Sequence, residues 1–348
     1  MTIQVPSISP ALAARLVCPR DHTSLRDTIG ALACANGHRY PVVDGVPVML
    51  LDDVEQTFGA AQASLARAAS GLAGETASKW YLESVEISED EKRGVLELAA
   101  RRPAVDPVVS YLVAATNGLM YRHLIGRLES YPIPELNLPD GNGRTLLDVG
   151  CSWGRWSIAA AKRGYVPIGI DPSLGAVMAA RRVAKQLNVP ASFVVGDARH
   201  LPFAAASFDG VFSYSVLQHL SRLDATRAVA EMGRTLKPGG FARVQMPTRY
   251  GVRCLYHQAR RGFSDGAGFD VRYWRLADLR RLFTDRIGRT RLEVDCYFGI
   301  GLQPTDAHLM TPGRRAVLRA SQWMTAASRR LPWLTSAADS VYAHAIKA

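Results

Sequence analysis

The sequence predicts an α/β fold, a largely parallel sheet flanked by helices and preceded by a small β ribbon and a helical insert. Three observations carry that reading. First, Thr145-Leu-Leu-Asp-Val runs apolar through Asp148, turns on Gly150 and Gly154, and enters Arg155-Trp-Ser-Ile-Ala-Ala-Ala-Lys. Strand, glycine turn and helix start in that order make the first βα unit of a Rossmann-like nucleotide site. Second, two further apolar runs, Val166-Pro-Ile-Gly-Ile-Asp171 and Ser192-Phe-Val-Val-Gly-Asp197, each end in a carboxylate. Third, residues 15–50 are short apolar runs broken by turn residues, with Asp44-Gly45 as a hairpin signal.

The expected order is a ribbon-like module over 1–51, a helical connector and lid over 52–140, and the α/β domain over 141–348. In the first unit Cys18-x-x-x-His22 and Cys34-x-x-x-His38 are matched pairs with eleven residues between them. This unit resembles the small zinc-ribbon module found alone or fused to methyltransferases, some of which act on ribosomal RNA. The usual module has C-P-x-C followed by C-x-x-C or C-x-x-x-H. Here Asp21 stands at the second Cys position and Gly37 at the fourth. Two thiolates and two imidazoles, Cys18, His22, Cys34 and His38, satisfy tetrahedral zinc. A metal-free ribbon held by its hairpin and apolar packing is the alternative.

The connector reads mainly as helix. Residues 53–74 are rich in Ala and Leu, with Gly71 and Gly74 as breaks. Ser88 caps a second helix with Glu91 in the capping-box position. A long apolar segment follows Pro107, and its polar exceptions, Asn117, Tyr121, Arg122 and His123, are either site-lining groups or helix surface. Residues 131–143 form a Pro/Gly-rich linker into the main domain.

Within that domain LLDVGCSWG, GIDPS, VVGDARHLPF, SFDGVF and LKPGG follow one another over residues 144–247. In order and spacing they resemble the small-molecule branch of the class I methyltransferases that use S-adenosyl-L-methionine (SAM). The resemblance implies a seven-stranded sheet and SAM as cofactor. It places Asp148, Gly150, Ser152 and Gly154 around the methionine portion and Asp171 on the ribose hydroxyls. It sets Asp197 against the adenine amino group and the Ala198 N–H against a ring nitrogen. Ser213 closes the fourth strand, where cofactor and acceptor meet. An NAD enzyme would need G-x-G-x-x-G, and position 152 is Ser.

The acceptor is read from what is missing and from charge. No N/D-P-P-Y/F sequence is present, which argues against an exocyclic amine of adenine, and neither Cys254 nor Cys296 lies in a Pro-Cys motif. Direct displacement at the sulfonium methyl remains, with alignment and water exclusion as its main needs. His219 is the candidate general base, and a packed histidine is the competing reading. Leu292-Glu-Val-Asp-Cys-Tyr-Phe reads as the sixth strand and 340–347 as the last. Between them, Val317, Ala320, Met324, Ala327 and Leu331 form an apolar stripe on a 313–331 helix flanked by arginines.

The chain carries a net charge of +11, and its location matters more than its size. Residues 249–291 hold eleven Arg against four Asp, and 313–348 hold five Arg and one Lys against one Asp, so the rest is close to neutral. Such a field suits an anionic small or lipid-linked acceptor, with the 313–331 helix resting on a membrane surface, or an RNA substrate whose phosphates are gripped by the ribbon and the basic C-terminal third. A non-enzymatic scaffold is disfavoured by the acids retained at both cofactor positions. Five scattered cysteines make no disulfide framework, and no apolar run reaches membrane-spanning length. The expectation is a cytoplasmic enzyme, peripheral to the membrane if its acceptor is lipid-linked.

Overall fold

The computed structural model describes residues 8–70, 79–299 and 301–348. Gly71 and Gly74 lie outside the described residues.

A short helix α1 (Pro10–Ala13) leads into the ribbon strands β1 (Leu25–Thr28), β2 (Ala31–Cys34), β3 (Arg39–Val43) and β4 (Val46–Pro47), paired antiparallel in that order. Asp44 and Gly45 both take positive φ (46° and 78°), the geometry that a two-residue hairpin turn demands. The connector supplies α2 (Gly59–Ala69), α3 (Glu89–Ala100) and α4 (Pro107–Thr116). The capping box at α3 is present in both halves, with the Glu91 N–H donating to Ser88 Oγ and the Ser88 N–H to the Glu91 carboxylate. At α4, Asp106 caps the first turn and Pro107 starts it, where a missing N–H costs nothing. The apolar segment after Pro107 is not one helix. It breaks at Gly118 (φ 108°) and continues as a 3-10 turn over Leu119–Leu124.

The main domain alternates β5 (Thr145–Val149), α5 (Arg155–Lys162), β6 (Val166–Asp171), α6 (Leu174–Gln186), β7 (Ser192–Val195), β8 (Phe208–Ser213), α7 (Arg222–Thr235) and β9 (Leu236–Pro247). It closes with α8 (Val252–Arg260), α9 (Leu276–Arg286), β10 (Gly288–Cys296), α10 (Pro312–Ser328) and β11 (Ser340–Lys347). The seven strands lie in the order β10-β11-β9-β8-β5-β6-β7, with only β11 antiparallel to its neighbours. In register, Asp148 lies between Gly169 and Phe212, which puts the glycine turn at the carboxyl edge of the sheet's centre. Strands buried on both faces read as continuous apolar runs, and Leu146, Leu147, Val149, Ile168 and Ile170 are all buried.

The ribbon shares the core of the sheet. Leu32, Cys34, Tyr40 and Met49 belong to the same buried cluster as Leu147, Ile170 and Phe203. Its last strand runs on to the sheet edge, where Val48 bridges Val195 and the Met49 N–H donates to Val195 O (2.7 Å).

Two expectations are corrected. The sixth strand starts earlier than Leu292, at Gly288, because it pairs with β11 through Lys347. The C-terminal helix ends at Ser328 and turns a different face inward. Leu318, Ser321 and Ser328 are buried, while Val317, Ala320 and Leu331 of the expected stripe are exposed. Met324, partly buried against the core, is the position the two stripes share. Among the described residues no helix is long and apolar enough to cross a membrane.

Candidate functional site

The glycine turn is fixed by backbone bonds before any ligand is considered. Gly150 and Cys151 N–H both donate to Ile170 O (2.8 and 3.0 Å), and the Ser152 N–H donates to Asp171 Oδ2 (2.9 Å). Gly150 has φ 74°, and a β-carbon there would fall 2.2 Å from Val216 Cγ2, so this glycine admits a protein side chain as well as a close ligand. Asp171 also accepts from the Ser173 N–H (3.0 Å) and so ties turn to helix α6. Burial pushes it up to about 6 against the pull of those N–H groups. One bond on each oxygen leaves lone pairs for a vicinal diol. Asp148 faces the interior instead. It is buried, accepts from Ser157 Oγ (2.6 Å), and is pushed by burial up to about 7.

Asp197 has company that the sequence did not announce. Arg199 donates to its Oδ2 through Nε (2.8 Å) and an NH2 group (2.7 Å), and the Arg199 N–H reaches Oδ1 (2.8 Å). Arg199 is itself buried and reaches Asp224 and Glu55 O. The acid is therefore oriented by its own neighbour, while among the described residues the Ala198 N–H meets no acceptor. Ser213 spends its hydroxyl on Val149 O (2.8 Å), which joins the fourth strand to the first.

A second polar group gathers beside the turn from distant segments. Arg155, buried at the start of α5, pairs with buried Asp306 (3.0 Å), which also accepts from Tyr121 Oη. Tyr121 is held protonated, its phenol pushed up chiefly by burial. Asn117 accepts from Trp153 Nε1 (3.2 Å) through its Oδ1. Asn117 and Tyr121 therefore face the site, while Arg122 is exposed and His123 contacts Leu309 O and Arg314. Three buried polar atoms around this turn have no partner: Ser152 Oγ, Arg155 Nε and Asn117 Nδ2. Buried polar groups are normally satisfied by protein, water or ligand, so this cluster is a candidate place for a polar ligand.

His219 does not suit the role of base. Its Nδ1 bonds Phe269 O (2.7 Å), its Nε2 faces Gln218 Nε2 (3.1 Å), and its ring stacks on Phe269 at 3.9 Å. The bond to a carbonyl puts the proton on Nδ1, so the Nε2 lone pair is taken by the Gln218 amide. Burial lowers its basicity further.

In the ribbon, Cys18, Asp21, Cys34 and His38 bring their donor atoms within 4.8 Å of one another. His38 Nδ1 lies 3.4 Å from Cys18 Sγ, 3.3 Å from Cys34 Sγ and 3.3 Å from Asp21 Oδ2. Bonds of about 2.0–2.3 Å at tetrahedral angles put zinc ligands about 3.3–3.8 Å apart, so the three distances from His38 fit, with Cys34 Sγ and Asp21 Oδ2 slightly wider at 3.9 Å. His22 is not among them. Its backbone is left-handed (φ 57°), and its Nε2 points to Glu231 at 3.9 Å. The acid at the second Cys position replaces it.

Residues 146–240 match the methyltransferase domain family. The chain carries a methyltransferase domain. An uncharacterized methyltransferase of Synechocystis sp. is 30% identical over 138 residues, 39% of this chain and 63% of that protein. A demethylmenaquinone methyltransferase of Renibacterium salmoninarum is 35% identical over 117 residues, 33% of this chain and 47% of its own. Among solved structures, a SAM-dependent methyltransferase of Methanosarcina mazei is 24% identical, with a TM-score of 0.40, over 48% of this chain and 90% of its own. The chain thus spans less than two thirds of the length of these two curated relatives.

Proposed function

We propose that this protein transfers the methyl group of SAM to a small, anionic acceptor by direct displacement. The observation that carries the reading is the trio of unpartnered buried atoms, Ser152 Oγ, Arg155 Nε and Asn117 Nδ2, around a glycine turn that is hydrogen-bonded to Asp171. SAM has a carboxylate and an ammonium for the first group and a ribose diol for Asp171. Asp197 and the Ala198 N–H suit the adenine edge. When bound, SAM supplies the electrophilic methyl, and the chain's part is to align the acceptor and exclude water. No side chain is assigned as general base, since His219 is held at both ring nitrogens. Asp171→Ala is expected to weaken SAM binding by about tenfold or more, the scale of losing a charged acceptor. Calorimetry decides, with the thermal midpoint as a check on folding, and unchanged affinity removes the assignment.

We also infer a structural zinc ion in the ribbon, held by Cys18, Asp21, Cys34 and His38, on the strength of the donor spacing.

A lipid-linked acceptor is the second reading. The ribbon's resemblance and the charge speak for RNA, whereas two exposed tryptophans speak for a bilayer. Trp323 on α10 is 81% exposed and Trp333 is 67% exposed, beside Leu331, Arg329 and Arg330. Tryptophan with arginine is the composition of an interfacial element. Sedimentation with anionic and neutral vesicles tests it: Trp323→Ala/Trp333→Ala should lose binding to anionic vesicles, and a wild-type protein that pellets with neither discards it.

A further inference from the structure

On the acceptor side, behind the segment that follows β8, a small cleft is lined by Arg222, Arg249, Arg261 and Arg272, with Gln258 and Tyr273. We propose that this cleft binds a compact oxyanion, the phosphoryl or carboxylate group of the acceptor, with Arg249 and Arg261 as the principal donors. The inference rests on the methyl-transfer reading only for what carries the anion.

Three of the arginines are held in place largely by neutral groups, and of the four only Arg261 has an acid within ion-pair reach. Arg272 is fixed by carbonyls, donating to His219 O (2.8 Å), Gly268 O (3.2 Å) and Asp270 O (3.2 Å). Arg222 donates to Tyr273 O (3.1 Å) and lies over the Trp274 ring at 4.5 Å. Arg261 donates to Val271 O (2.9 Å), and its nearest acid, Asp270, stands at 3.6 Å. Its Nε is buried with no partner. Among the described residues the half-buried Arg249 side chain has no partner at all. Neutral carbonyls hold a guanidinium in place but leave its charge uncompensated, and the one carboxylate in the lining is the exposed Asp265. Four positive charges around one space, three of them held in place and one partly offset by Asp270, with donors still unspent, are complementary to an anion.

Size and place narrow the ligand. The innermost space is about 30 Å³, the scale of one or two waters, which suits a single oxyanion group. The cleft adjoins the transfer site through one segment. The Arg272 N–H donates to Gln218 O (2.8 Å), and two residues earlier Val216 covers Gly150 of the glycine turn. An acceptor anchored here by its anionic end presents its other end towards that turn.

The test uses the full chain, with orthophosphate and acetate as probes and ionic strength held constant with sodium chloride. Calorimetry should show saturable binding of at least one of the two, phosphate marking a phosphoryl acceptor and acetate a carboxylate. Arg249→Gln should weaken it about tenfold or more, while the thermal midpoint without anion and the affinity for SAM stay unchanged. Arg261→Lys, which keeps the charge but loses the fork, should weaken it as well. Binding of neither anion beyond the chloride control, or equal binding in wild type and Arg249→Gln, overturns the subsite. Failure of SAM to bind while the anion still does would instead remove the methyl-transfer reading and leave the subsite standing.

Discussion

Gly150 offers the sharpest check on how the cofactor turn is built. A β-carbon at this position meets Val216 Cγ2 at 2.2 Å, Cγ1 at 2.7 Å and Cβ at 3.0 Å. Gly150→Ala therefore carries two separable costs. A left-handed backbone costs an alanine about 1–2 kcal/mol, and crowding a branched neighbour costs about 1–3 kcal/mol more. The substitution should lower stability by about 2–5 kcal/mol, read from urea unfolding at constant slope. Val216→Ala takes away the two nearest atoms and should relieve only the crowding. In that background Gly150→Ala should cost about 1–2 kcal/mol, the backbone part, and the cycle should show a coupling of about 1–3 kcal/mol. Equal costs in the two backgrounds, or a cost below about 1 kcal/mol in the wild-type background, would refute the packing argument and leave backbone conformation or ligand approach as the reason for glycine.

Two further predictions follow from the ribbon and from the buried acid. Protein purified without added metal should hold about one equivalent of zinc, as should His22→Ala, whereas Asp21→Ala should lose most of it. The opposite ranking by elemental analysis restores His22 as the ligand, and under about a tenth of an equivalent in the wild type means a metal-free ribbon. Asp148 is raised by burial to about 7, so between its unfolded value near 3.8 and that point the native state binds the extra proton. Stability owed to this group is then present at low pH and falls as pH rises through that window. Relative to Asp148→Asn, the wild type should lose on the order of a few kcal/mol between pH 5 and pH 8; a difference that stays constant with pH counts against a buried, proton-holding Asp148.

Much of the site could be read from local patterns, because local geometry fixes them. The glycine turn, the carboxylate ending the second strand, the Asp44-Gly45 hairpin and the Ser88–Glu91 capping box each span a handful of residues. What escaped depends on rotation or on distance. The pairs Cys18-x-x-x-His22 and Cys34-x-x-x-His38 look equivalent in sequence, but the left-handed backbone at His22 turns its ring towards Glu231 and leaves Asp21 facing the thiols. On α10, apolar and small residues recur at helical spacing on two adjacent stripes, so periodicity alone does not choose between Val317 and Leu318. Arg155 and Asp306 are separated by 151 residues, and no short-range signal marks them as partners. His219 stood at a plausible catalytic position, and only the Phe269 carbonyl and the Gln218 amide show why its nitrogens are engaged.

The bridge between Val48 and Val195 has a meaning beyond shape. β7 is the outermost strand of the large sheet, and a bare outer strand is a template on which another polypeptide can add itself. Here the carboxyl end of that strand is met by chain from the same molecule, delivered by the ribbon immediately after β4. The proposed ion would sit in the ribbon that leads to this contact. A change in ribbon order would then be felt at the sheet's border, so that such an ion would guard solubility as well as a small module's fold. Because the two halves of the contact lie far apart in sequence, this border closes only after most of the nucleotide-binding half has been made.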